Sequence, residues 1–154
     1  MLFTGNDFVD TSSSFDTAMK AGSNGALFVR AYATSGGLMG TPHPILFHGS
    51  GYAATALNAS IRGVLGLPQE TVPSGCVGWF QIRGYFADAQ GAATSFAGSY
   101  GHAVYWGGAT GLGCSSSAFN GISHMVAIMA EDVGGGGSTT ANIYLLGKLD
   151  ACAM

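Results

Sequence analysis

Residues 75–88 read GCVGWFQIRGYFAD, and this stretch constrains the fold more than any other part of the chain. In an extended strand, Val77, Trp79, Gln81, Arg83 and Tyr85 share one face, and Gly78, Phe80, Ile82, Gly84 and Phe86 share the other. Apolar bulk lies on both faces, which a half-exposed strand avoids. Gly78 and Gly84 leave gaps where another backbone or a large ring can come close. The segment is therefore expected to be a central strand packed on both sides, within the fold or against a partner.

Other strand signals surround it. ALFVRAY (26–32), Ile45–His48, Ile61–Leu65, AVYW (103–106), HMVAIMAE (124–131) and ANIYLL (141–146) are short, rich in β-branched and aromatic residues, and bounded by turn residues. Residues 34–44, 107–120 and 133–140 read as loops, the last a Gly-rich hairpin connection, and residues 89–101 are a small, polar stretch with Phe96 and Tyr100 as apolar plugs. Residues 52–60 are expected to form a loop or short strand. Without a long helical stripe, the pattern predicts an all-β protein, a single-domain β-sandwich or β-barrel of about 7–8 strands. Residues 1–24 form an extended N-terminal arm carrying Phe3, Phe8 and Phe15, with a short helical turn near Phe15–Lys20 as an option. Residues 25–154 form the β domain.

Composition narrows the function. Only 8% of the 154 residues are charged, against roughly 25% in ordinary soluble domains. Gly accounts for 26 residues, where about 7% is usual. A surface so poor in charge gives a lone monomer little protection against self-association, so burial of part of it in an assembly is expected. Net charge is −3, and the basic residues are Lys20, Arg30, Arg62, Arg83 and Lys148. They make no patch for phosphates, which argues against nucleic acid as a partner. No run reaches the length of a membrane-spanning helix, and MLFTGNDFVD lacks the basic start of a secretory signal. Cys76, Cys114 and Cys152 are odd in number and match no zinc or redox pattern, so buried free thiols are expected, with a pairing left open. Assembly in a cytoplasm suits that chemistry.

Catalytic signatures are weak. HGSG (48–51) lacks the leading glycine of a nucleophile elbow, and Gly108–Gly113 has no Lys-Ser/Thr to complete a phosphate loop. His43, His48, His102 and His124 are scattered without metal-ligand spacing, and His102 and His124 read as strand-end hydrogen bonders. Glu131-Asp132 beside the Gly-rich loop has the oxygens for calcium, but a solvated strand end is the simpler reading. Trp79, Tyr85, Tyr105 and Trp106 could form a sugar-stacking platform, though core or interface packing is the commoner fate of such rings. No cofactor or enzymatic activity is expected.

The order of the segments resembles a known family. RGVLG (62–66) precedes a short connector and then Gly-x-x-Gly-Trp-Phe-Gln-Ile-Arg-Gly (75–84). Gly-x-Ala-Val-Tyr-Trp (101–106), the HMVAIMAED strand (124–132) and Ile-Tyr-Leu-Leu-Gly (143–147) follow. Over residues 61–147 this is similar to the small β-rich proteins that decorate, or cement, the heads of tailed bacteriophages. The resemblance implies a non-enzymatic virion protein bound to the outside of the major capsid protein shell, as a homotrimer at three-fold or quasi-three-fold positions. Phe3, Phe8, Phe15 and Trp106 are then the candidate partner-binding residues. A tail or fibre component, and a carbohydrate-binding module, are the competing readings.

Overall fold

The structure is a computed structural model that describes residues 9–10, 18–47, 51–56, 63–106, 112–115, 125–134 and 137–147, without the side chains of 9–10, 92–95, 106 and 115. The fold is all-β, as the sequence predicts. Among the described residues eleven strands pair into one sheet: β1 (Val9–Asp10), β2 (Met19–Ala21), β3 (Leu27–Ala33), β4 (His43–Phe47), β5 (Tyr52–Ala54), β6 (Val64–Pro68), β7 (Val77–Ala97), β8 (Ala103–Trp106), β9 (Leu112–Ser115), β10 (Met125–Met129) and β11 (Thr140–Leu146). This exceeds the expected seven or eight. Three departures account for it: Met19–Ala21 pairs with β3 and is no helical turn, Leu112–Ser115 lies inside a presumed loop, and Val9–Asp10 adds to β7.

The organising element is β7, 21 residues long. The small, polar stretch 89–97, beyond the expected strand segment ending at Asp88, continues this strand; small side chains masked a segment whose backbone pairs with β9 and β11. Through its first half β7 pairs with β3 on one side and with β6 and β1 on the other. β3 pairs with β5, β5 with β4, and β4 with β6, closing a five-strand barrel. Through its second half β7 pairs with β11 and β9. The sequence of pairs β11–β10, β10–β8 and β8–β9 closes a second circuit of five strands. The two circuits share β7.

Each circuit has its own core. The first holds Val29, Ala31, Ala33, Ile45, Ala54, Val72, Phe80 and Ile82. A five-strand ring leaves a narrow lumen, and three alanines against one large ring, Phe80, satisfy that limit. The second core gathers Phe86, Phe96, Val104, Leu112, Met129, Ile143 and Leu145. Leu65 and Leu67 of β6 also belong to it, so β6 walls the first ring and packs its other face on the second. Phe96 is fully buried and plugs the core as expected, whereas Tyr100 is 74% exposed and does not.

The two faces of β7 are both buried from Val77 to Ile82, as the sequence predicts, and then diverge: Arg83 and Tyr85 face solvent. The change occurs where Gly84 adopts φ +95. A Cβ there would lie 2.9 Å from the Cα of Ala26, so glycine is required by both backbone angle and space. Gln81, 1% exposed, secures the bend: its Nε2 donates to the carbonyls of Arg83 (3.0 Å) and Tyr85 (2.8 Å), and its Oε1 accepts from Gln69 Nε2 (2.6 Å). A buried amide with every group satisfied fixes backbone geometry that apolar packing alone would leave free.

Candidate interaction surface

Of the four residues expected to bind a partner, Phe3, Phe8 and Phe15 lie outside the described residues. Trp106 ends β8, paired to Leu112 of β9. Among the described residues, three apolar groups are exposed besides the lone Tyr100.

The first is a turn at residues 37–41. Gly37 and Val72 exchange both backbone hydrogen bonds at 2.8 Å, and Thr41 N–H donates to Leu38 O at 3.0 Å. Gly40 N–H donates to Pro68 O, and Gln90 N–H donates to Gly40 O. Gln90 Nε2 reaches Met39 O at 3.0 Å, and the Thr41 hydroxyl donates to Gln90 Oε1 at 3.4 Å. The backbone is thus tied to β6 and to the middle of β7, while Leu38 (62%) and Met39 (53%) project into solvent. Two large apolar side chains on a braced turn do not collapse onto their own fold.

The second group joins Met19, Phe47 and Tyr52. Phe47, 66% exposed, meets the Tyr52 ring edge-on with centroids 5.9 Å apart, and Tyr52 Oη–H donates weakly to Met19 Sδ at 3.8 Å. The third is a cross-strand pair. Tyr85 of β7 lies directly opposite Tyr144 of β11, both exposed, and the Tyr144 hydroxyl donates to Asn24 O at 3.5 Å. Of the four rings that the sequence offers for a sugar platform, Trp106 has no described side chain and the other three differ in exposure. Trp79 is buried, with Lys20 Nζ 4.4 Å from its ring centroid, and Tyr105 is half-buried, leaving Tyr85 exposed beside Tyr144.

The polar candidates resolve into structural roles. Glu131 is held by Asn142, whose backbone N–H donates to Oε1 (2.6 Å) and whose Nδ2 donates to Oε2 (3.0 Å). Asn142 Oδ1 in turn accepts from Asp88 N–H (3.1 Å), at a bulge where β11 faces an extra residue of β7 and Asp88 adopts φ +55. Asp132 Oδ1 accepts from Tyr100 N–H at 2.6 Å. Glu131 therefore ties the end of β10 to β11, and Asp132 ties two loops together. Among the described residues no three His, Cys, Asp or Glu side chains are placed to share a metal ion. His102 Nδ1 accepts from Ser99 N–H at 3.2 Å just before β8, the strand-end role expected of it. His48 and His124 lie outside the described residues.

His43 is different. It opens β4, is 3% exposed, and meets Phe80 edge-on at 5.7 Å. Burial pulls its pKa below the ordinary 6.5, and the hydrogen bond to Thr55 O, at 2.9 Å from Nδ1, opposes that pull in part. Cys76 is a half-buried free thiol and Cys114 a buried one, whose pKa burial raises; Cys152 lies outside the described residues. Sequence reasoning missed Leu38 and Met39. The one available signal was an apolar pair set between glycines, where turn chemistry asks for neither.

Comparison of the chain with protein-family models, curated proteins and solved structures returns no significant match.

Proposed function

We propose that this protein is a non-enzymatic decoration protein of a tailed-phage head, binding the outer surface of the major capsid protein and stabilising contacts between its subunits. The observation that carries the reading is the braced turn at 37–41. It presents Leu38 and Met39 to solvent on a chain in which only 8% of residues are charged. Apolar anchors on a rigid frame suit a permanent, salt-tolerant contact, since burial of such side chains is little affected by ionic screening. The order of strand motifs over residues 61–147 supports the same reading, and a homotrimer at three-fold positions is the arrangement that reading implies.

Co-sedimentation with purified phage heads tests it. Wild-type protein is expected to pellet with heads in stoichiometric amount at both low and high salt. Protein that stays in the supernatant with every head preparation ends the proposal. A few copies per particle would move the protein to a tail or fibre position.

The Tyr85–Tyr144 pair favours a second reading, a carbohydrate-binding module. Two exposed rings on neighbouring strands offer apolar faces of the kind sugar rings stack on. A glycan array with binding that Tyr144→Ala removes would establish it, and an array without hits would dismiss it.

A further inference from the structure

We propose that Ser35, His43 and Thr55 enclose an internal polar site that seats one water molecule, donating to His43 Nε2. Three buried side-chain atoms lack a hydrogen-bond partner among the described residues: Ser35 Oγ, His43 Nε2 and Thr55 Oγ1. All three belong to the same end of the first barrel. Thr55 O holds His43 Nδ1 at 2.9 Å. Thr34, next to Ser35, donates both its N–H (2.9 Å) and its hydroxyl (3.2 Å) to Ala54 O, next to Thr55. Gly37, two residues beyond Ser35, lies against the far side of the imidazole.

The tautomer follows from the first of these contacts. A carbonyl oxygen only accepts, so Nδ1 carries the proton and Nε2 presents a bare lone pair inside the protein. That lone pair calls for a donor. Gly37 keeps the approach open: a Cβ there would sit 3.0 Å from Nε2. Water can donate to Nε2 and still serve both hydroxyls, and about three hydrogen bonds to otherwise unsatisfied groups is the usual complement of a buried water. One molecule therefore satisfies the three orphaned atoms together, and neither hydroxyl bonds Nε2 directly. The reading is independent of what the protein binds.

The test uses the full chain, crystallised at a resolution that shows ordered solvent, with long-range nitrogen–proton NMR on the His43 ring. Expected are a water within hydrogen-bond distance of Nε2 and of at least one of the two hydroxyls, and a ring protonated on Nδ1. Gly37→Ala is expected to fold, since both hydrogen bonds to Val72 are backbone bonds, and to lose that water. Ser35→Ala provides a second variant, expected to keep a water on Nε2 with one partner fewer. The proposal is overturned by a wild-type structure in which a hydroxyl bonds Nε2 directly with no water between, or by a ring protonated on Nε2.

Discussion

Gly40 and Asp88 are in such close register that a Cβ on Gly40 would stand 2.7 Å from the Asp88 carbonyl oxygen. Gly40 also adopts φ +71, and its neighbour Gln90 bonds its carbonyl. The turn carrying Leu38 and Met39 is thereby seated on the bulge of β7. Gly40→Ala faces a left-handed backbone cost of roughly 1–2 kcal/mol, with the clash added to it. A urea midpoint falling accordingly is expected, and a midpoint unchanged within experimental error would show that the turn is not anchored this way.

Leu38→Ser with Met39→Ser separates binding from folding. Both side chains are exposed and their backbone bonds do not involve them. Stability should stay within about 0.5 kcal/mol of wild type, while head binding falls at least tenfold. Full binding by the double variant places the contact elsewhere.

Asn142→Ala removes the amide that grips Glu131 and the acceptor for Asp88 N–H. A loss of about 1–3 kcal/mol is expected from groups left without partners. Glu131→Gln should cost less, because a neutral amide oxygen can still accept from the Asn142 backbone. Thermal melts of the two variants, ranked against wild type, decide it; the reverse order would mean that charge at Glu131 matters more than the bulge.

Acid should destabilise the protein through His43. Its folded pKa lies below the unfolded value of 6.5, so the unfolded chain binds the extra proton first. This contribution is intact above 6.5 and is lost progressively as pH falls from there toward the folded pKa. Denaturation midpoints measured from pH 8 to pH 5 should decline, and His43→Phe should flatten the part of that decline which begins near 6.5. A variant with the same pH profile as wild type would remove His43 as the cause.

Strand chemistry made the all-β class legible. The β-branched and aromatic content of residues 27–33, 43–47 and 141–146 marked strands that formed within a residue or two of their expected ends. The continuation of β7 through residues 89–97 was hidden because Ala, Gly, Ser and Thr carry turn signals even where the backbone pairs. Ring closure was equally invisible: the β3–β5 and β7–β9 pairings are parallel contacts between segments with another strand between them in the chain, and no local pattern encodes them. His43 could not be distinguished from its three counterparts, since its burial depends on the Phe80 ring, remote in sequence, and on a turn that brings Gly37 back against the imidazole. The apolar pair at 38–39 was passed over for the same reason, its exposure being set by hydrogen bonds to Pro68 and Gln90.

β7 belongs at once to the closed five-strand barrel and to the second circuit of strand pairs, and this gives the molecule a mechanical character. Tension applied along that strand is shared by β3, β6 and β1 at one end and by β11 and β9 at the other, all loaded in shear across many hydrogen bonds. Neither ring can open without drawing on the strand that closes its neighbour. A single cooperative rupture, instead of two successive ones, is what a pulling experiment on this chain should record.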